Sequence, residues 1–190
     1  MKGSIMKGNR IFLSTILTVV LFGCIPSLNP LYTKNDLVTN DDLLGKWAEN
    51  QSKESWIFEK KDNTSYKLIH KEKHEQSTFV AHLVKVGDSL FLDLFPEEPD
   101  TDDALYKLHL FPVHTFSKVI LRKNELILMM FNLSWLEEGI ENGTINVAHV
   151  KSSDDRLLLT ASTKELQQFV LKYAGNNKAF MDPLELKKIN

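Results

Sequence analysis

Six histidines, His70, His74, His82, His109, His114 and His149, are the side chains of this chain best suited to metal or acid/base chemistry. Their spacing argues against both. His70 and His74 stand four apart, which suits zinc when both lie on one helical face, but they flank the charged stretch Lys71-Glu72-Lys73 where a strand gives way to a turn, and there is no His-Glu-x-x-His. His82 shares a strand face with Val80, Val84 and Val86, and His109 shares one with Phe111, so structural or surface roles are expected for them. His114, directly after Pro112-Val113, opens a strand, and a strand start on a barrel rim can face a ligand. With one cysteine in the chain, a zinc site would need three or four His or carboxylates to converge, and neither a metal nor a cofactor is expected.

The carboxylates give a similar answer. Glu97, Glu98, Asp100, Asp102 and Asp103 lie in a loop stiffened by Pro96 and Pro99, without the spaced ligands, central Gly and terminal Glu of an EF-hand. A solvated loop is expected, one that covers a rim if the domain is a barrel. Asp93 is the odd charge among Leu90, Phe91, Leu92, Leu94 and Phe95; it either faces solvent or is a buried carboxylate with a partner. Gly-x-Ser-x-Gly, P-loop and dinucleotide-binding fingerprints are absent, and the serines have no readable partners, so no enzymatic activity is expected.

The one cysteine, Cys24, has a clearer context. Lys2, Lys7 and Arg10 precede an apolar run from Ile11 to Gly23. That run is too short for a membrane span of about 20 helical residues, but it has the length of a signal-peptide core. Leu21-Phe22-Gly23-Cys24 resembles the lipobox of bacterial lipoproteins, although Phe22 replaces the usual small residue. The resemblance implies cleavage before Cys24 and acylation of that cysteine, and two or more acyl chains anchor a protein stably where one does not. It also implies a lipid membrane as partner and the bacterial cell envelope as location. Ile25 stands where an aspartate would retain a lipoprotein in the inner membrane of enteric bacteria, so the outer membrane is expected where there are two.

Residues 1–23 are thus expected to be a signal peptide, 24–32 the lipidated cysteine with a short tether, and 33–190 a single domain. Loss of residues 1–23 removes three of 23 basic residues and none of 25 acidic ones, leaving a formal charge of −5. That balance offers no basic patch for nucleic acid.

Positioning falls to short strands. Alternation with a period of two predicts strands over 45–50, 54–60, 64–70, 78–86, 89–95, 105–111, 114–121, 125–131, 145–151 and 156–161, with helical turns over 33–38 and 40–44. Close spacing favours antiparallel hairpins. Ser134 with Glu137 and Ser162 with Glu165 read as capping boxes; the second opens an amphipathic helix over 162–174, and Asp182-Pro183 reads as the start of a last helical turn. The fold class is mainly β: an antiparallel meander forming a lipocalin-like barrel or a strongly curved sheet, with short helices and that late helix.

Gly45-Lys46-Trp47, after a helical turn and at the first long strand, is similar to the Gly-x-Trp signature of lipocalins and related calycins. The resemblance implies an up-and-down barrel with a cavity for an apolar ligand, Trp47 as its plug, and a basic partner from the final strand, for which Arg156 is the candidate. Leu126, Leu128 and Met130 alternate with Ile127, Met129 and Phe131, so both faces of that strand are apolar. Two-sided packing accounts for this, and so would a cavity wall containing Met129 or Met130. Two functions follow: a membrane-anchored carrier of an apolar or amphipathic small molecule, with His114, Met129 and Met130 as candidate contacts, or a solid-cored module that binds an envelope protein partner through its surface.

Overall fold

Alternating side chains on a strand give it two faces, and a sheet with two apolar faces must be covered on both. This chain solves that with a closed barrel wrapped on one side. The computed structural model describes residues 25–99 and 101–189, so Cys24 and the segment before it lie outside the described residues. In chain order the elements are β1 (Pro26–Ser27), β2 (Leu37–Val38), a 3-10 turn (Asp41–Leu43), β3 (Gly45–Ala48), β4 (Ser55–Lys60), β5 (Tyr66–Glu72), β6 (Glu75–Val86) and β7 (Ser89–Pro96). Then come α1 (Ala104–His109), β8 (His114–Arg122), β9 (Glu125–Met130), α2 (Leu133–Glu141), β10 (His149–Lys151), β11 (Leu157–Leu159), α3 (Thr163–Tyr173), a 3-10 turn (Asn177–Ala179) and β12 (Leu184–Ile189).

β3 to β9 run as an antiparallel meander, and β12 closes it between β9 and β3, giving an eight-stranded antiparallel barrel. At eight strands the interior is just wide enough for side chains to fill. Leu43, Trp47, Phe58, Leu68, Leu83, Leu92, Leu126, Leu128 and Leu186 occupy it, each between 0% and 2% exposed. Their neighbours in sequence point outward. Val84, Val86, Phe91 and Phe116 form a second core with Ile25, Leu31, Phe131, Leu136, Leu166, Phe169 and Val170, under β1, α2 and α3. Two-sided burial therefore explains the strands with two apolar faces. Beside the barrel, β8 divides its edge: Ser117–Arg122 pair with β9, whereas His114 and Thr115 pair with Ser27 and Pro26 of β1, which leads on to β11 and β10.

Several sequence expectations are corrected. The strand expected over 105–111 is α1, because β7 and β8 pair directly with each other (Leu94 opposite Thr115) and leave no edge for a strand between them, while the Asp103 side chain caps a helix. The helical turn expected after Asp182 is β12, whose Leu184 and Leu186 face Leu128 and Leu126 across the barrel's closing seam. Part of the turn expected over 33–38 is β2, paired with Val84 and Leu83. The residues expected to form a tether are packed instead: Ile25 is 3% and Leu31 0% exposed. The cap of α2 is Asn132, whose side chain accepts the Trp135 N–H, in place of Ser134. The Ser162–Glu165 capping box is present and opens α3.

Phe58→Ala removes a ring from the filled barrel and is expected to cost about 3–5 kcal/mol in urea unfolding, whereas Phe111→Ala, at a ring 72% exposed, changes stability by no more than about 0.5 kcal/mol.

Candidate functional site

Asp93 is the most demanding residue of the fold, since a fully buried carboxylate costs several kcal/mol unless its oxygens are hydrogen-bonded. The alternation of β7 sends Leu92 into the barrel and Asp93 to its outer wall, where the N-terminal segment covers it. Oδ2 accepts the Leu31 backbone N–H at 2.9 Å, and Oδ1 bonds the Nδ1 of His114 at 2.8 Å. With the carboxylate as acceptor, that nitrogen carries the proton and donates it. His114 comes from β8, packed at 4.5 Å between ring centroids from Phe95 and at 6.4 Å, edge-on, from Tyr32.

His82 lies directly opposite Asp93 in the β6–β7 register, and its ring packs on Tyr32 at 4.4 Å. Its Nδ1 is buried without a hydrogen-bond partner. Burial pulls the His82 imidazole below its usual pKa, partly opposed by the Asp93 charge; burial, reinforced by that charge, pushes the Tyr32 hydroxyl above its own. The cluster is therefore two imidazoles, one phenol and one carboxylate, assembled from β6, β7, β8 and the N-terminal segment.

That segment is fastened along its length. The Asn29 side chain donates to the Ala161 carbonyl, the Thr163 hydroxyl to the Pro30 carbonyl, and Gln167 Nε2 to both the Leu31 carbonyl and Asp36 Oδ2. The segment thus lies as a strap between the outer barrel wall and α3. Chemically, Asp93 orients an imidazole as a general base would be oriented, but its second oxygen is committed to a backbone amide and the ring is only 12% exposed, which describes a clamp better than a reaction centre.

The other sequence candidates lie elsewhere. Trp47 is buried in the barrel, its Nε1–H donating to the Leu43 carbonyl at 2.8 Å. The basic side chain over its ring is Lys188 of β12, with Nζ 5.0 Å from the ring centroid, and this corrects Arg156, which pairs with Asp154 with 82% of its side chain exposed. Arg156 belongs to the β10–β11 turn, whereas the strand that closes the barrel is β12, where alternation over Leu184 and Leu186 follows Asp182-Pro183. Gly45 has a φ of +115° and a built-on Cβ would sit 3.2 Å from Lys188 Cε, so the glycine admits both the backbone turn and the lysine that crosses it. Met129 and Met130 sit opposite Lys118 and Ser117 on opposite faces of β9, so they share no cavity wall with each other.

Among the described residues no three His, Cys, Asp or Glu side chains are grouped to hold a metal ion. A groove of about 410 Å³ lies outside the barrel, between α3 and residues 146–148, lined in part by Asn146, Glu165, Gln168 and Lys172. What the sequence reading missed is the strap: Asn29, Leu31 and Tyr32 carry no motif, and the one available signal was an unexplained Asp93. No protein-family model, curated protein or solved structure matches this chain.

A depressed imidazole sets a pH window. The unfolded chain binds a proton on His82 near its ordinary value of about 6.5 while the folded one resists it, so stability from this residue is in place above about pH 6.5 and lost as pH falls toward the folded value. Asp36 and Asp62, lowered by hydrogen bonds from Thr33 and Ser65 and the latter to about 2, act only at more acid pH. His82→Phe keeps the ring on Tyr32 and removes the orphan nitrogen. Its expected effects are a stability at pH 7 equal to or about 1 kcal/mol above wild type, and a flatter stability profile below pH 6.5, read by urea unfolding from pH 5 to 8.

Proposed function

We propose that this chain is an envelope lipoprotein, acylated at Cys24 after loss of residues 1–23, whose barrel is a solid module that engages a protein partner at the outer membrane. The observation that carries this reading is the filled barrel. A carrier keeps an empty or wet cavity, whereas Leu43, Trp47, Leu68, Leu83, Leu92 and Leu126 have 0% of their surface open even to water. The eight-stranded barrel and the Trp47–Lys188 pair at Gly45 support the likeness to lipocalins in architecture. They do not require a ligand.

Anchoring is supported by the basic head, apolar run and Leu21-Phe22-Gly23-Cys24. Ile25 is 3% exposed, so the fold begins one residue after the proposed lipid attachment and no loose tether intervenes. Such a domain sits against the bilayer, with its exposed surface facing whatever partner it meets there. Residues 28 and 105–111 supply exposed apolar side chains for such contacts.

Metabolic labelling with palmitate in a bacterial host tests the first half: wild type is expected to take up label and Cys24→Ser to lose it. Native mass spectrometry of the non-acylated domain from Ile25 onward tests the second. A mass equal to the polypeptide alone is expected; a reproducible one-to-one lipid or other small molecule would restore the carrier reading.

A further inference from the structure

Between β7 and β8 the chain makes an excursion, residues 97–113, that leaves the barrel beside Phe95 and returns at His114. At its centre is α1, a six-residue helix none of whose residues is buried. Its apolar side chains and those just beyond it face solvent: Leu105 is 69%, Tyr106 55%, Leu108 81% and Phe111 72% exposed. Isolated large apolar residues on a surface are ordinary, but five in seven consecutive positions, with Leu110 at 40% the least exposed, form a patch of the kind that marks an interaction site. A helix this short draws its stability from packing an apolar face, and α1 buries none of its residues, being held by the Asp103 cap, the His109 bond to the Leu105 carbonyl and the Glu98–Lys107 contact.

The surroundings of the patch say what would cover it. Residues 97–113 carry five carboxylates and one lysine. The Glu98 side chain is 89% exposed and meets Lys107 only at 3.7 Å, and Asp102 and Asp103 are exposed as well, whereas Glu97 is paired with Lys61 at 2.6 Å. An apolar centre with an acidic rim disfavours a bilayer of anionic lipids, since such surfaces attract Lys and Arg and repel carboxylates. It matches a protein surface of opposite design, an apolar ridge flanked by Lys or Arg, whose charges steer the encounter and fix the register.

We infer that the 97–113 excursion is the docking element for a protein partner presenting an apolar ridge with basic flanks, and that α1 gains its missing packing when that partner covers Leu105, Leu108 and Phe111. This inference rests on the reading of the chain as an interaction module and names the surface that does the work. The excursion is anchored at its base, where Phe95 packs on His114 and His114 bonds the buried Asp93.

The test places a photo-crosslinking amino acid at Leu108 of the full-length chain in its native cell, and a second, separately, at Val150 on the edge strand β10, where the side chain is 50% exposed. The expected result at position 108 is an adduct with one protein whose crosslinked peptide is apolar and flanked by Lys or Arg, falling about tenfold in the Glu98→Lys/Asp102→Lys double variant. Adducts at 108 only with lipid or with a second copy of this chain, no adduct, or a protein adduct indifferent to the charge reversal would each overturn the inference. A protein adduct at 150 with none at 108 overturns this surface and leaves the interaction-module reading standing; no protein adduct at either position overturns both. Residues 108, 98 and 102 are exposed and outside both cores, so these variants fold as the wild type does.

Discussion

The carboxylate of Asp93 is the constraint around which the outer half of this molecule is arranged. It is fully buried, and it is tolerable there only because one oxygen takes the Leu31 amide and the other the His114 imidazole. Those two bonds pin the N-terminal segment to the barrel wall. Pinned there, β1 can pair with His114 and Thr115 on one side and run parallel to β11 on the other, and β11 in turn holds β10. α3 closes over the same segment through Thr163 and Gln167. Removing the carboxylate would leave a buried amide and a nearly buried imidazole without partners at the seam between both layers.

The barrel has its own closure, built at the opposite end of the sequence. β12 is separated from β9 by two helices and two strands of the outer layer, yet it supplies both the last seam of the barrel and the lysine over Trp47. Lys188 Nζ also donates to the Asp42 carbonyl, which joins the final strand to the 3-10 turn that precedes the first barrel strand. The two ends of the described chain are therefore both structural. The beginning locks the outer layer and the end locks the inner one.

The meander itself was legible because period-two alternation is a direct consequence of strand geometry, and β4, β5, β8 and β9 fall within a few residues of where Trp56, Tyr66, His114 and Leu126 place them. α3 was legible for a local reason, the Ser162–Glu165 box followed by Leu166, Phe169 and Val170 on one face. The failures were non-local. Whether 105–111 is strand or helix depended on β7 pairing directly with β8, and whether 184–189 is strand or helix depended on an open seam between β3 and β9; neither fact is written in the segment concerned. At the site, Asp93 and His114 were visible as exceptional residues, but their meeting across two strands and the role of Leu31 were tertiary facts. The same gap displaced the Trp47 partner from Lys188 to Arg156.

The filled barrel, the built-in N-terminus and the exposed acidic-rimmed patch fit the proposed picture of a rigid body, anchored through Cys24, that docks a partner through the 97–113 excursion. The claim on which that picture turns is that the residues following Cys24 belong to the fold. Native-state hydrogen exchange at the Leu31 amide tests it most directly. Protection comparable to barrel amides such as that of Leu68 is expected, with a large loss of that protection, confined to the strap and the β1–β11–β10 side, in Asp93→Ala, which leaves the Leu31 amide no acceptor. Exchange at Leu31 as fast as in an unstructured linker would contradict it.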